Sequence, residues 1–370
     1  MRHYPRMNLP SLQRHLRPVL RPFGAAYAGV MRLRALRYGT GTRSFRAACP
    51  VVSVGNISWG GTGKTPIVDY LLDKAAEDGV RAVVLTRGYK AAPQELPFPV
   101  GREDDPAVAG DEPLLLARRH PEALVLVDPK RSRAAAWAER HAAPQLFLLD
   151  DGMQHMAMER DLDIVLLKPE DLLDEWDRVI PSGTWREGKS ALARAHAFCM
   201  KADPAVFSGI IPVAEKRLAA FGRPLFRFSL QPIGLSRLEP FGDAPSETVS
   251  GLKEADYTLL CGTGNPTQVR ETAHGFLGRA AAAEIIRPDH HPYMEADALH
   301  ALRLGHPVVC TAKDAVKLAA LLPYFGDLPV WVLEVRAVFG EALFTDRPFD
   351  AWWREQWRAL AALRFEAGPP

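Results

Sequence analysis

The chain has 370 residues, of which 47% are hydrophobic and 24% charged, and its formal net charge is +2. This length predicts two or three domains, and the composition excludes a disordered chain and a coiled coil. The near-neutral charge excludes a protein that binds nucleic acid over its whole surface. The four cysteines are far apart and form no Cys-x-x-Cys pair, so we expect neither disulfides nor a zinc site, and a reducing cytoplasm fits.

The first 46 residues are basic. They contain no Asp or Glu, and they contain ten arginines, at positions 2, 6, 14, 17, 21, 32, 34, 37, 43 and 46. Apolar residues at helical spacing, with prolines among them, predict one or two short helices. The longest apolar run, residues 22–31, is about half of what spans a bilayer, and Arg17 and Arg21 interrupt any signal-peptide core. Two interpretations stay open and do not exclude each other: a helix docked on the protein's own core, and a basic helix at an anionic membrane surface.

From residue 50 onward, short β-branched runs alternate with helical stretches, which predicts βαβ units and a parallel sheet covered on both faces. The predicted strands are 50–54, 82–85, 124–127, 146–149, 164–167, 257–261, 283–286, 308–310 and 330–335. The predicted helices are 64–78, 110–120, 132–141, 267–277, 296–304, 313–321 and 348–365, the last packing on a domain through Phe349, Trp353, Trp357 and Leu360. Residues 223–238 are predicted to form two extended segments, broken by Pro232 and Gly234, that act as a hinge.

A glycine-rich segment, Gly55-Asn-Ile-Ser-Trp-Gly-Gly-Thr-Gly-Lys-Thr-Pro66, follows the first predicted strand and opens the next helix. Backbone N–H groups in such a loop cradle phosphate oxygens at a helix N-terminus. The lysine of the motif reaches the β- and γ-phosphates, and the following threonine binds Mg²⁺. The first glycine of the common motif is replaced here by Ser58, so the loop is nearer to the deviant Walker form, with Trp59 in place of the signature lysine of that form. The expected nucleotide ligands are Ser58, Gly60, Gly61, Thr62, Gly63, Lys64, Thr65 and Pro66.

Two adjacent carboxylates, Asp150 and Asp151, end the strand predicted at residues 146–149. An acidic residue at this edge of a parallel sheet delivers a metal ligand beside a phosphate loop. Neighbouring side chains point to opposite sides, so the two carboxylates cannot share one role. A plain strand-ending turn is the alternative.

Two further segments are ambiguous by themselves. Asp111 in Gly110-Asp-Glu-Pro113 is typical of a helix N-terminus, but phosphoryl transfer to a hydroxyl also needs a carboxylate or histidine near the attacking oxygen. The turn Asp289-His-His-Pro-Tyr293 offers histidines without the ligand spacing of a transition-metal site. Its histidines either tune such a base or have no role.

Four arginines follow strand ends or precede helices, where guanidinium groups suit phosphate recognition: Arg87, Arg131, Arg133 and Arg186. Each could equally be a surface residue. The segment Thr311-Ala-Lys-Asp314 differs by one position from a guanine-reading motif, which argues against GTP.

Taken together, these segments resemble those of the tetraacyldisaccharide 4'-kinase (lipid A 4'-kinase) family over nearly the whole chain. Order and approximate spacing both agree, and the small departures, such as Cys261 where alanine is more familiar, affect no chemistry. The matching segments are Val54-Gly-Asn-Ile57, Gly60-Gly-Thr-Gly-Lys-Thr-Pro66, Thr86-Arg-Gly-Tyr89, Ala109-Gly-Asp-Glu-Pro113, Asp150-Asp-Gly-Met-Gln-His155, Pro181-x-Gly-x-x-Arg-Glu187, Gly262-x-Gly-Asn-Pro266, Pro288-Asp-His-His-Pro-Tyr293 and Lys313-Asp-Ala-Val-Lys317.

This resemblance implies ATP- and Mg²⁺-dependent phosphorylation of the 4'-hydroxyl of tetraacyldisaccharide 1-phosphate, giving lipid IVA at the cytoplasmic face of the inner membrane. It implies that Asp111 is the base and His290 its partner. It places Thr65, Glu112, Asp150 and Gln154 in the metal and catalytic shell, and we expect Arg87, Arg131, Arg186 and Asp151 to bind substrate. The implied partners are the anionic glycolipid and the membrane surface, through the basic N-terminus; we expect no nucleic acid and no obligate protein partner.

The expected fold is α/β: a P-loop NTPase-type parallel-sheet domain plus a smaller α/β domain joined by an extended two-stranded linker. The expected bounds are 1–46 for a membrane-associating helical region, 47–222 for the P-loop core, 223–243 for the linker, 244–340 for the second domain contributing His290, and 341–370 for a closing helix. The linked domains suit a cleft that excludes water.

Two rival functions remain. A deviant-Walker regulatory ATPase explains the phosphate loop and the basic N-terminus, but it does not explain Asp111 or the Asp-His turn. A small-metabolite kinase leaves the N-terminal arginines unexplained.

Overall fold

The computed structural model describes residues 9–39, 44–240, 242–243, 252 and 255–365. The chain forms two compact units. Unit 1 comprises residues 1–64, 146–229 and 339–370, and unit 2 comprises residues 65–145 and 230–338. Three of the ten N-terminal arginines, at positions 2, 6 and 43, lie outside the described residues. Most of residues 244–254 and residues 366–370 of the predicted closing segment also lie outside them.

The α-helices are numbered along the chain: α1 (Leu9–Gly39), α2 (Lys64–Glu77), α3 (Pro106–Ala109), α4 (Asp111–Arg119), α5 (Arg131–His141), α6 (Pro169–Leu172), α7 (Pro204–Leu218), α8 (Pro266–Leu277), α9 (Glu295–Leu304), α10 (Ala312–Leu318) and α11 (Phe349–Phe365). Short 3₁₀ helices are Lys189–Arg194, Ala219–Phe221 and Ala319–Phe325. None of the helices in the described part of the chain combines the length and apolar character needed to cross a bilayer.

The strands are β1 (Val51–Asn56), β2 (Ala82–Thr86), β3 (Phe98–Pro99), β4 (Leu124–Val127), β5 (Leu146–Asp150), β6 (Leu162–Leu167), β7 (Ala197–Lys201), β8 (Leu225–Glu239), β9 (Gly242–Asp243), β10 (Thr258–Gly262), β11 (Ala283–Arg287), β12 (Val308–Thr311) and β13 (Val330–Leu343). Every predicted strand and helix from residue 50 to residue 222 is present within a few residues of its predicted bounds. The mostly parallel α/β fold class is confirmed. The predicted domain bounds stay a prediction.

Three predictions about elements were wrong or incomplete. The region 223–238 is one strand, β8, and not two segments, and Pro232 and Gly234 lie inside it. The N-terminal region forms one helix, α1, with Pro18 and Pro22 inside it. Strand β7 and helix α7 were not predicted, because β7 lacks β-branched residues and α7 contains Gly209 and Pro212.

In unit 1, β1 lies between β5 and β6, and both pairings are parallel. The sheet continues in parallel from β6 to β7 and then to the first residues of β8. Strands β1, β5 and β6 are buried along their whole length, as in a sheet covered on both faces. Because Val54 pairs with Asp150, the loop after β1 and the acidic end of β5 lie at the same edge of this sheet.

In unit 2, β10 pairs in parallel with β11 and β12, and β12 pairs in parallel with β13. A second set of strands joins β2 to β4 in parallel and β4 to β3 antiparallel. Helix α4 packs against α10. This packing brings residues from the first and second halves of the chain together within one unit.

Candidate active site

The loop between β1 and α2 has the backbone conformation of a phosphate cradle. Gly60 and Gly63 have φ values of +106° and +87°, which L side chains rarely adopt. A Cβ on Gly63 would lie 3.0 Å from the ring of Phe228, whereas a Cβ on Gly61 would meet open space. Lys64 then begins α2, and Pro66 occupies the first helical turn, where its missing N–H costs nothing.

Ser58 anchors this loop to the body of unit 1. Its hydroxyl donates to Asp171 Oδ2 at 2.9 Å, and Trp185 Nε1 donates to Asp171 Oδ1 at 3.0 Å. All three residues are buried, and this burial raises the pKa of Asp171 even though it accepts these hydrogen bonds. Lys168 Nζ donates to the carbonyl of Trp59 at 2.8 Å. The Ser58 hydroxyl thus fixes the loop to unit 1 through Asp171. Its role as a nucleotide ligand stays a prediction.

Four of the predicted site residues of unit 1 form one cluster at the sheet edge. Arg186 Nη1 donates to both carboxylate oxygens of Asp151, at 2.9 and 2.8 Å, and to Gln154 Oε1 at 3.1 Å. Lys64 Nζ lies 3.6 Å from Asp151 Oδ1. Asp151 adopts a left-handed conformation, with φ at +54°, which turns it away from the strand. Lys64 and Arg186 together offer two fixed positive charges to a phosphate group.

Asp150 and Asn56 complete the edge of this sheet. Asp150 is the last residue of β5 and is buried, which is the position expected of a carboxylate beside the loop. Asn56 Oδ1 accepts from Lys64 Nζ at 3.4 Å, and its backbone carbonyl accepts from Gln154 Nε2 at 3.0 Å. Asn56 belongs to a motif of the sequence, but its contact with Lys64 was not predicted.

Unit 2 holds a second cluster, centred on Asp111 at the start of α4. His290 Nδ1 lies 3.1 Å from Asp111 Oδ2, and Lys317 Nζ lies 3.3 Å from the same oxygen. Lys313 Nζ lies 3.2 Å from His290 Nε2. An ammonium group only donates, so in the neutral imidazole Nε2 accepts and Nδ1–H donates to Asp111. His291 instead contacts Asp297 at 3.3 Å, so the two histidines of the turn have different partners.

The side chains of Thr65 and Glu112 contact each other in the same unit. The Thr65 hydroxyl donates to Glu112 Oε2 at 3.1 Å. Hydroxyl and carboxylate oxygens are the donors that Mg²⁺ prefers, and Mg²⁺ usually takes its remaining ligands from water and substrate phosphates. Within the described ranges, no group of three or more His, Cys, Asp or Glu side chains is arranged to hold a metal ion by itself. The donor set therefore fits Mg²⁺ bound together with a nucleotide.

The two remaining predicted arginines have other surroundings. Arg131 is buried at the start of α5, and its guanidinium donates to the carbonyl of Pro129 at 3.4 Å. Arg87 follows β2 and is exposed. Their roles in binding substrate stay predictions. No role was predicted for Lys313 and Lys317, although their spacing of four residues on a helix indicates one shared face.

Comparisons with known proteins give consistent matches. The sequence model of one protein family, described as Tetraacyldisaccharide-1-P 4'-kinase, matches residues 16–349. A tetraacyldisaccharide 4'-kinase of Nitratidesulfovibrio vulgaris is 49% identical over 360 residues, covering 97% of this chain and 99% of the relative. One from Pseudomonas aeruginosa is 34% identical over 345 residues, covering 93% and 94%. The crystal structure of LpxK from Aquifex aeolicus in complex with ATP matches with a TM-score of 0.70 and 28% identity, covering 93% of this chain and 99% of that one.

Proposed function

Because this chain belongs to the tetraacyldisaccharide-1-P 4'-kinase family, we propose how its residues take part in the transfer of the γ-phosphoryl group of ATP to the 4'-hydroxyl of tetraacyldisaccharide 1-phosphate. Its family membership establishes this activity, and the assignment of the individual residues is our proposal.

Asp111 is the general base in this proposal. The observation that carries it is the contact of 3.1 Å between Asp111 Oδ2 and His290 Nδ1. With the imidazole N–H donating to Oδ2, the carboxylate is held in one orientation, and its second oxygen is left to accept the proton of the sugar hydroxyl. His290 therefore orients Asp111 and modulates the charge of its carboxylate before the proton is transferred.

The nucleotide is held by the loop after β1. Backbone N–H groups of residues 60–63 cradle the phosphates, and Lys64 and Arg186 offset the charge of the β- and γ-phosphates. Thr65 and Glu112 would hold Mg²⁺, while Asp150 and Gln154 of unit 1 stay predicted members of the metal shell. When bound, Mg²⁺ neutralises charge that develops on the phosphate oxygens.

Transfer of label from γ-labelled ATP to tetraacyldisaccharide 1-phosphate in mixed micelles tests this function. We expect a new labelled lipid with the wild-type protein and none with Lys64→Ala. Lys216→Ala, which changes an exposed lysine on α7, is the matched control and retains activity. Hydrolysis of ATP without any labelled lipid would instead support the regulatory-ATPase interpretation.

We further propose that α1 holds the protein on the cytoplasmic face of the inner membrane as a peripheral protein. One face of α1 is docked on unit 1. A Cβ on Gly24 would lie 2.7 Å from Ser182 Oγ and from the carbonyl of Val179. Met31 is buried, and Arg17 forms an ion pair with Glu175. This docking fixes which side of the helix faces away from the unit.

The side of α1 that is not docked carries an exposed apolar stripe. Its residues recur every three or four positions and so share one face of the helix; they are Leu16, Val19, Phe23, Tyr27 and Val30. Val19 is 67% exposed and Phe23 is 63% exposed. Exposed Arg34 lies in line with the stripe, one turn beyond Val30, whereas exposed Arg21 and Arg32 lie on the opposite side of the helix, about 160–180° around it from Phe23. An exposed apolar stripe on a helix that carries exposed arginines suits an anionic bilayer surface.

Binding to anionic phospholipid vesicles, measured by cosedimentation, tests this placement. Phe23→Glu removes an apolar contact worth about 1.5–3 kcal/mol when buried in lipid, so we expect at least a tenfold loss of affinity. Ala25→Glu adds the same charge about 200° around the helix and serves as the matched control, with a much smaller loss. Equal losses in both variants would show that charge alone holds the protein, and no loss in either would refute a role for α1.

A further inference from the structure

Helix α10 presents a largely buried lysine side chain to the carboxylate that we assign as the base. We propose that Lys317 is a positioning residue for the kinase reaction, which holds Asp111 in the orientation that accepts the proton. This inference rests on the proposed role of Asp111. It adds a residue that acts through the base and does not itself touch the substrate.

The surroundings of Lys317 leave its ammonium group little freedom. Its side chain is 9% exposed. Nζ lies 3.3 Å from Asp111 Oδ2 and 3.7 Å from Asp314 Oδ1. The ring centroid of Tyr293 lies 5.2 Å from Nζ, within the range of a cation–π contact. The cation is therefore held by two carboxylates and the face of one aromatic ring.

Asp314 is itself fixed, so Lys317 has a rigid support. Asp314 is fully buried and accepts hydrogen bonds from the Thr311 hydroxyl at 2.7 Å, the Tyr293 hydroxyl at 3.0 Å and the Gly262 backbone N–H at 3.1 Å. These donors come from the start of α10, the His290 turn and the end of β10. The same network thus joins the turn that carries His290 to the helix that carries Lys317.

The geometry at Asp111 explains why two anchors are needed. The final torsion of an aspartate side chain is broad and roughly two-fold, so a single contact with His290 does not define the plane of the carboxylate. His290 and Lys317 both contact Oδ2, from different elements. With this oxygen held from two directions, Oδ1 is the oxygen left to take the proton. A misplacement of about 1 Å in a reacting group costs on the order of 100-fold in rate.

Lys313 lies one helical turn before Lys317 and contacts His290, as Lys317 contacts Asp111. Its ammonium group donates to Asp289 Oδ1 at 2.8 Å and to His290 Nε2 at 3.2 Å. Each partner of the Asp111–His290 pair is thus contacted by one lysine of α10. Lys317 is the better residue to test, because Lys313 also lies 3.8 Å from Glu112, a proposed metal ligand.

A double-mutant cycle between Lys317→Met and Asp111→Asn tests the inference. For Lys317→Met we expect kcat of phosphoryl transfer to fall about 10- to 100-fold, with KM values for ATP and lipid within about twofold of wild type. If Lys317 acts only through Asp111, adding Lys317→Met to Asp111→Asn lowers kcat by no more than about twofold further. Lys317→Arg, which keeps the charge, restores most of the lost kcat, and Lys216→Met is the matched control.

The outcomes distinguish the positioning role of Lys317 from the proposed function. Multiplicative losses in the double variant, or an unchanged kcat in Lys317→Met, would overturn the positioning role while leaving the proposed function intact. An unchanged kcat in Asp111→Asn would instead refute the proposed base. If Lys317→Met does not fold, as judged by its melting temperature, Lys317→Gln replaces it, with the same expected dependence on Asp111.

Discussion

A buried histidine, His120, ties together the helices that carry Thr65 and Glu112. It follows the last residue of α4, and its Nε2 lies 2.8 Å from Oδ1 of Asp69 on α2. Both residues are buried, and Arg119 also donates to Asp69, at 3.1 Å. Together with the contact between Thr65 and Glu112, the pair gives α2 and α4 two fixed points of contact. We predict that His120→Gln destabilises the protein in a pH-dependent way.

The direction of this dependence follows from the two pKa shifts. Burial lowers the pKa of His120, but the hydrogen bond and charge of Asp69 outweigh it, so the pKa is raised above 6.5. Burial raises the pKa of Asp69, but its partners, His120 first, outweigh it and lower the value below 3.8. The contribution of His120 is therefore complete below about pH 6.5 and is lost as pH rises through the raised pKa. Asp69 stays ionised over this range.

The size of the expected destabilisation depends on which contacts of Asp69 remain in His120→Gln. A glutamine still donates to Asp69, so the loss is the difference between a charged and a neutral hydrogen bond, about 1–1.5 kcal/mol. Arg119 remains on Asp69, so the larger penalty of an unpaired buried charge does not arise. In a unit of this size we expect the melting temperature at about pH 6 to fall by roughly 2–6 °C.

Thermal unfolding followed by circular dichroism from about pH 6 to about pH 9 measures the effect. The difference between wild type and His120→Gln should shrink steadily as pH rises. His300→Gln, on the exposed side of α9, is the control and should show no such trend. A difference that stays constant with pH would refute a charged His120–Asp69 pair.

Three further predictions concern the phosphate loop and the metal. Gly63→Ala forces an L residue to φ +87° against the Phe228 ring, so we expect ATP binding, measured by calorimetry, to weaken at least about tenfold. Gly61→Ala faces open space, so its affinity for ATP should stay within about threefold of wild type. Equal losses in both variants would contradict the assignment of this loop as the phosphate cradle. Ser58→Ala removes a hydrogen-bond donor to buried Asp171 and should lower the free energy of unfolding in urea by about 1–3 kcal/mol. Weaker ATP binding at unchanged stability would instead show that the Ser58 hydroxyl binds the nucleotide. Chelation of Mg²⁺ should abolish phosphoryl transfer. Glu112→Gln should raise the Mg²⁺ concentration needed for half-maximal rate, whereas the control Glu103→Gln, at an exposed position, should not. An identical Mg²⁺ dependence in both variants would exclude Glu112 as a ligand.

Several features of this protein were determined by local sequence. The alternation of β-branched runs and helical stretches predicted the α/β class, because each element depends on the periodicity of its own residues. The phosphate loop was also predictable, since the positive φ angles of Gly60 and Gly63 depend only on residues that are contiguous in the chain. Where breakers interrupt an element, as Pro212 does in α7, the local signal failed and packing of the buried face prevailed.

Tertiary structure alone decided which groups face each other. Asp111 and His290 are 179 residues apart, and their motifs were visible separately, but only the packing of unit 2 joins them and adds Lys317. The hydroxyl of Ser58, read from the sequence as a nucleotide ligand, is held by Asp171, 113 residues away. In the same way, docking of α1 through Gly24 and Met31 decided which of its apolar residues stay exposed. Local propensity determines where elements form, whereas contacts between distant residues depend on burial that no local pattern encodes.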